Sequence, residues 1–543
     1  MANANPVGHS RADASFSNHH DADVLVIGGG PAGAWAAISA AAKGARTFLV
    51  DKGYCGASGA TAPAGTGVWH VPDEGDAREQ AKASRFMMGG QLAEHAWMDR
   101  VLAQTWANID QLIEWGYPFP VDEQGQLQCT NLQGPDYMRL MRKMAKQAGV
   151  RILDHHPALE LLVDDQGAVS GAAGVDRQAD AAWRVHAGAV VLATGGCAFL
   201  SKALGCNVLT GDGYLLGAEA GAELSGMEFS NAYGLGPAWS SITKSLFYNW
   251  GSFYDRHGEP IPGAGSSRGR GIIAKTLQTQ GVYCKLDRAD AQIQAWMRTA
   301  QPNFFLSFDR RGIDPFTQAF PVTLRLEGTV RGTGGLHVVS EQCATTVSGL
   351  YAAGDAATRE LICGGFTGGG SHNAAWAMSS GFWAGAGAAD FALDARSRAH
   401  RPRWHAGRAG LHGRGAPLDS DALVQAVQAE VLPTEKNWAR QADVLEDSLQ
   451  RLDGWWRRVR DASAASLTGA VRAREAVAML ATARWMYRSA LSRTETRGMS
   501  RRQDYAAVDP TQHHRLVSGG LDEVFVRPQA VLNVEHSSIK VAA

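Results

Sequence analysis

No two of the seven cysteines (Cys55, Cys129, Cys197, Cys206, Cys284, Cys343 and Cys363) stand at C-x-x-C spacing. A structural zinc site or an iron–sulfur cluster of the chain's own is therefore not expected. So few scattered thiols suit a reducing compartment. No apolar run approaches ~18 residues, so no membrane-spanning helix is expected. The stretch from Met1 to Ala22 is polar, with neither an apolar core nor a twin arginine, which excludes a visible signal peptide and makes a cytoplasmic location the expectation. Charge of either sign is balanced: 52 Lys and Arg face 53 Asp and Glu, for a net charge of -1. No global field would hold the chain on nucleic acid or an anionic membrane. Charged residues make up only 19%, whereas glycine is abundant, 63 in 543 residues, without a Gly-X-Y period. That composition excludes collagen and disorder and fits a large, glycine-rich α/β protein of several domains.

Val24-Leu25-Val26-Ile27 reads as a strand. It runs into Gly28-Gly29-Gly30-Pro31-Ala32-Gly33, then an Ala-rich helix to about Lys43, then a second strand, Thr47 to Val50, ending at Asp51. The G-x-G-x-x-G spacing between strand and helix, with an acidic residue about 20 positions on, is the dinucleotide-binding pattern. Gly28 permits the tight turn, Gly30 lets the backbone approach a pyrophosphate, and Gly33 lets helix and sheet pack closely. The helix N-terminus offers free N–H groups to the phosphates, and Asp51 can accept from ribose hydroxyls. Asp355, after Gly354 and the apolar run Leu350–Ala353, is placed to bind flavin or ribose hydroxyls, and Gly364–Gly370 can bring backbone close to a flavin ring.

The order of Gly28–Gly33, Ala193-Thr194-Gly195-Gly196, Thr210-Gly211-Asp212-Gly213, Met227-Glu228-Phe229, Gly354-Asp355 and Arg493-Thr494-Glu495-Thr496-Arg497-Gly498 resembles the flavoprotein subunits of fumarate reductase and succinate dehydrogenase. L-aspartate oxidase and the adenylylsulfate reductase α subunit are relatives of these. The resemblance spans about residues 22–505. It implies an α/β fold: a Rossmann-like FAD-binding domain in two chain segments (22–233 and 334–394) with an inserted α+β capping domain (234–333). Residues 1–21 would form a disordered tail, 395–417 a basic linker, and 418–543 a C-terminal helical domain and tail. It implies FAD contacts from Pro31, Ala32, Lys52, Ser58, Gly59, Ala193, Thr194, Gly195, Asp212, Gly354, Asp355, Gly370, Ser371 and Asn373, besides the glycine loop and Asp51.

The departures are as informative. Ser58-Gly59-Ala60-Thr61-Ala62 stands where respiratory members carry a histidine bonded to FAD, so non-covalent FAD is expected. Three residues that grip a C4 dicarboxylate in the family are missing: Tyr233 and Val330 stand at the histidine positions, and residues 364–373 contain no arginine. A buried dicarboxylate needs cationic donors at both ends, so succinate, fumarate and aspartate are not expected substrates. Arg270, in Arg270-Gly271-Ile272-Ile273-Ala274-Lys275, matches the capping-domain arginine that shuttles a proton in fumarate reduction, with Arg268 as the alternative register.

Tyr233, Arg331 and His337 are candidate substrate-binding residues. Trp69, Phe247, Tyr248, Trp250 and Trp376 suggest an aromatic pocket, whereas His155-His156 and His513-His514 read as surface pairs. No metal site is expected. The reading is an FAD-dependent oxidoreductase moving a hydride between flavin N5 and a small, non-dicarboxylate substrate, aromatic or anionic, with a ferredoxin-like iron–sulfur subunit or a quinone as electron carrier. Alternatives are an oxidase using oxygen and a catalytically decayed electron-transfer subunit. The basic run from Arg396 to Arg414 reads as a solvated linker, with docking of an acidic carrier as its sharper role. Homo- or hetero-oligomers both remain open.

Overall fold

The computed structural model describes residues 10–11, 18–122, 124–243, 246–266, 269–367, 369–394, 403–413 and 415–531. Strand β1 (His19–Ile27) starts earlier than the hydrophobic run from Ala22 suggests, because its first residues pair with Arg184–Ala187. Helix α1 (Pro31–Ala42) begins with proline at its first turn, where the missing N–H costs nothing. Strand β2 (Thr47–Val50) lies parallel to β1 in the register Val24↔Thr47 to Ile27↔Val50. Then β3 (Ala158–Asp164), β4 (Val169–Asp176) and β5 (Ala181–Leu192) form an antiparallel meander on the same sheet. Twelve residues give β5 room for two kinds of neighbour. On one side β1 runs parallel to it. On the other, its first half pairs antiparallel with β4, and Val190–Leu192 is left free for a later segment.

The segment expected to form a capping domain has its own sheet and its own core. Strands β6 (Ala232–Pro237), β7 (Ser252–Tyr254), β8 (Val282–Lys285) and β9 (Phe320–Glu327) lie in the order β6-β9-β8-β7, with helix α2 (Arg270–Leu277) between β7 and β8 in the chain. Phe247, Tyr248, Phe304, Phe305, Phe308 and Phe320 are buried together here, with Trp250 packed against them. This corrects the aromatic-pocket expectation for Phe247, Tyr248 and Trp250. Their rings supply the apolar area that a small separate domain needs.

The chain returns at β10 (Leu350–Ala352), parallel to β5 in the register Leu350↔Val190 to Ala352↔Leu192. Helix α3 (Gly369–Asp394) follows and lies on α1. Backbones approach closely: a Cβ on Gly381 would fall 2.4 Å from the Ala32 carbonyl oxygen, and one on Gly385 would fall 2.1 Å from that of Ala36. The glycines of α3 and the alanines of α1 thus clamp the two chain segments together. Trp376 is buried in this contact and donates its indole N–H to the Gly354 carbonyl at 3.0 Å, so it is a packing residue and not part of a pocket.

Two expected boundaries change. Residues 395–402 and Arg414 of the basic linker lie outside the described residues, as do 1–9 and 12–17 of the tail. The described part of the linker is a built element: β11 (Arg403–His405) pairs antiparallel with β3, and Ser10–Arg11 adds to β11. Trp404 is buried there, and His405 and His412 both hydrogen-bond to the buried Glu160, at 2.7 and 3.0 Å. The C-terminal domain is helical through α4 (Ser420–Val431) and α5 (Leu467–Ser492). It then ends in a hairpin, His514–Gly519 with Phe525–Ala530, whose first strand pairs with Leu224–Ser225 of the first segment. Buried Leu516 and Val517 draw it into the core.

Candidate active site

The turn from β1 to α1 needs its glycines for different reasons. Gly28 has a φ of 110°, and a Cβ there would fall 2.3 Å from the Ala193 carbonyl oxygen. A Cβ on Gly33 would fall 1.8 Å from the Gly28 carbonyl oxygen. Gly30 is the opposite case: its Cβ would meet no protein atom within 4 Å. The space beside Gly30 is therefore kept clear for something that is not protein. The N-terminus of α1 opens there without a side-chain cap, leaving free N–H groups and the positive end of the helix dipole.

That space belongs to a cleft which, with the solvent at its mouth, holds about 1400 Å³ of empty space. Of the residues assigned to the cofactor from the sequence, Gly33 and Ser371 stand back from it, and the rest line it. Gly33 acts through the helix contact, and the Ser371 carbonyl accepts from Trp69 N–H at 3.1 Å. Asp51 accepts from Gly29 N–H at 2.6 Å, Gly53 N–H at 2.7 Å and the Ser58 hydroxyl at 2.8 Å. A carboxylate has about four acceptor positions, so Asp51 ties the loops together and keeps one position for a ribose hydroxyl. Lys52 donates to Asp212 at 2.8 Å, Glu475 at 3.0 Å and Thr210 at 3.1 Å. Burial works against its charge, but the two carboxylates outweigh it and hold the ammonium above the usual lysine range.

From the second segment, Asp355 reaches the cleft with Arg359 ion-paired behind it. The buried Arg359 guanidinium also donates to the carbonyls of Thr329 at 2.9 Å and Val330 at 3.0 Å. Burial pushes the Asp355 carboxyl above the usual range, against the pull of Arg359 and Arg331. Asn373 donates to the Val330 carbonyl at 2.9 Å, which fixes the Gly370–Asn373 turn at the same end of the cleft as Arg331. His156, read from sequence as a surface residue, also lines the cleft.

The candidate substrate residues separate. Arg331 lines the cleft, its Nε 4.0 Å from Glu327. Tyr233 and His337 do not line it. The Tyr233 hydroxyl donates to the carbonyls of Val431 and Leu432, both at 3.1 Å, where it caps the end of α4. His337 faces Glu223 at 3.7 Å. Both are structural placements that a position in a motif does not reveal. Arg270 starts α2 and donates to the carbonyls of Tyr233 at 3.1 Å and Ser266 at 3.0 Å, leaving a buried Nε–H without a partner. Arg268 lies outside the described residues. Arg359, Glu475 and Arg501 were not singled out from the sequence. Arg501 lies three residues beyond Gly498 of the 493–498 motif, and that nearness was the available signal.

An open cleft over an uncapped helix end, lined by carboxylates from two chain segments, suits a dinucleotide, and the comparisons give the family. Residues 23–233 match the FAD binding domain family, and residues 428–526 match the fumarate reductase flavoprotein C-terminal family. The chain belongs to the FAD-binding oxidoreductases of the fumarate reductase/succinate dehydrogenase flavoprotein type, and its cofactor is FAD. It is 28% identical to L-aspartate oxidase of Streptomyces coelicolor over 91% of each chain. It is 25% identical to the fumarate reductase flavoprotein subunit of Mycobacterium tuberculosis, over 90% of this chain and 92% of that one. E. coli quinol fumarate reductase shares the fold at a TM-score of 0.78 and 20% identity, over 96% of this chain and 99% of that one. No helix among the described residues is long and apolar enough to cross a membrane.

Ser58, Gly59, Ala60 and Thr61 line the cleft without a nucleophilic ring nitrogen among them. Acid precipitation of the purified protein is therefore expected to release its flavin into the supernatant. Yellow protein in the pellet would show a covalent bond instead.

Proposed function

We propose that the protein catalyses hydride transfer between FAD and a small substrate that is not a C4 dicarboxylate, with a separate electron carrier, a ferredoxin-like iron–sulfur subunit or a quinone, completing the cycle. Bound FAD supplies the two-electron chemistry. The chain's residues supply position, charge and proton handling. Asp51 would hold one part of the bound cofactor, with Asp212 fixed nearby by Lys52, and Asp355, Asn373 and the Gly370 turn would hold another. Arg270 holds an anionic group of the substrate or moves its proton, and the cap core packs above it to exclude water, which strengthens each charged contact.

The observation that carries the substrate reading is the replacement of the dicarboxylate grip. Tyr233 spends its hydroxyl on helix carbonyls, Val330 is buried and apolar, and the Gly369–Asn373 turn carries no lysine or arginine of its own, the nearby Arg85 donating to His372 at 3.1 Å and to the Thr367 carbonyl at 2.9 Å. Each missing donor leaves a carboxylate to be desolvated without compensation. Succinate, fumarate and L-aspartate should neither reduce nor reoxidise the flavin. Turnover of any of them at even about 1 per second, the low end of ordinary enzyme rates, would sink the reading. The relatives named L-aspartate oxidase favour a second reading for the electron acceptor, oxygen in place of a carrier. Stopped-flow reoxidation of the reduced enzyme in aerated buffer separates the two.

A further inference from the structure

We propose that Arg501, stacked on Trp438, forms with Arg270 a subsite that binds one oxyanionic group of the substrate, a carboxylate, sulfate or phosphate. The proposal rests on the reading of Arg270 as the residue that meets the substrate, and adds a second residue and the class of the anionic group.

The Arg501 guanidinium carbon lies 4.7 Å from the centre of the Trp438 ring. Its main chain is pinned, because its carbonyl accepts from Arg440 N–H at 3.0 Å. Among the described residues its side chain makes no hydrogen bond or ion pair. Trp438 stands edge-to-face with Tyr233 at 5.8 Å, and a Cβ on Gly271 would fall 3.8 Å from the Trp438 indole nitrogen. The ring therefore meets Arg501 on its face and the first turn of α2 at its indole nitrogen. On the other side Arg270 is fixed by the Tyr233 and Ser266 carbonyls and keeps its buried Nε–H unpaired.

The neighbouring charges do not balance. Glu327 is the carboxylate acting on Arg270, and it already accepts from Thr243 at 2.5 Å and faces Arg331 at 4.0 Å. Around Arg270, Glu327 is the one carboxylate set against the further guanidiniums of Arg331 and Arg501, and Arg331 also faces Asp355. Burial lowers the affinity of Arg270 for its proton, and Arg331 and Arg501 lower it further. Burial acts on Arg501 in the same direction. A desolvated guanidinium without a partner is costly, and its planar fork matches the oxygens of a carboxylate, sulfate or phosphate. An incoming oxyanion removes both the repulsion and the unpaired donors. The aromatic support under Arg501 holds it in place before the anion arrives.

The test uses the FAD-loaded enzyme, titrated with sodium sulfate, phosphate or benzoate at constant ionic strength, read by flavin absorbance and tryptophan fluorescence. Wild type should show saturable binding, and the anion bound most tightly identifies the group. Arg501→Gln should raise that Kd by at least about tenfold, with FAD content unchanged. Arg501→Lys should recover part of the affinity, since it restores the charge without the fork. With a substrate in hand, Arg501→Gln should raise KM with kcat within about threefold, the mark of binding felt equally in ground and transition states. Anion affinity unchanged in Arg501→Gln, or no saturable binding in wild type, overturns the subsite. If that happens while Arg270→Ala still slows hydride transfer, the functional reading stands alone. If Arg270→Ala is silent, the functional reading fails independently of Arg501.

Discussion

Replacing Arg270 with alanine is expected to slow the hydride-transfer step by roughly 30- to 1000-fold, or about 2–4 kcal/mol, as for loss of one preorganised donor. The substrate for the measurement comes from anaerobic screening of a metabolite panel for flavin reduction, and single-turnover reduction isolates the step. Arg270 is held in place beside the cap, though it does not line the cleft itself: two of its donors are spent on the Tyr233 and Ser266 carbonyls, and its Nε–H is buried and unpaired. The guanidinium therefore loses little entropy on meeting the substrate. Lysine at this position should recover only part of the rate, because a point charge cannot hold both carbonyls and an anion. Stability should fall by no more than the two lost charged hydrogen bonds supply, each about 1.5–3 kcal/mol before relaxation, and FAD content should stay near wild type. Arg268→Ala is the companion variant. If it is dead and Arg270→Ala is silent, the motif register is displaced by two residues. Both variants near wild type would remove the capping arginine from the mechanism.

Gly30→Ala and Gly33→Ala should both empty the cleft, but by different routes. At Gly30 the new methyl meets no protein atom within 4 Å, so the apoprotein should fold as before. The methyl then occupies the space over the α1 N-terminus that a pyrophosphate requires. FAD affinity should fall at least about 100-fold, close to 2.7 kcal/mol, and the rise in Tm on adding FAD should shrink accordingly. At Gly33 the methyl would lie 1.8 Å from the Gly28 carbonyl oxygen. Strand and helix must then separate, and the apoprotein itself should melt lower, because backbone at the crossing has nowhere to move. The ratio of flavin to protein absorbance, with apoprotein Tm, distinguishes the cases. A Gly30→Ala protein purified fully loaded would contradict the placement of the phosphates.

The sequence by itself determined the cofactor domain. The glycine loop, the acidic residue after β2 and the Gly354-Asp355 pair are local: each works through the conformation of a few consecutive residues, so spacing and residue type suffice. The return of the chain at Leu350–Ala352 to the sheet of the first segment, and the separate sheet of residues 232–327 between them, follow the expected motif order, since motif order survives where side-chain contacts change. Tertiary structure decided the rest. Tyr233 occupies a substrate-binding position in the chain, yet its hydroxyl is spent on α4, about 200 residues later. Phe247 and Tyr248 look like pocket aromatics until the cap's separate core is seen to need them. Arg403–His405 reads as basic linker, and it becomes a strand because Trp404 finds an apolar seat beside Val163 while His405 finds the buried Glu160. Arg501 gained meaning only when folding set it on Trp438, beside Arg270. Residue type and order fix what a segment can do locally, but whether a polar atom is spent on the protein or left for a substrate depends on partners hundreds of residues away.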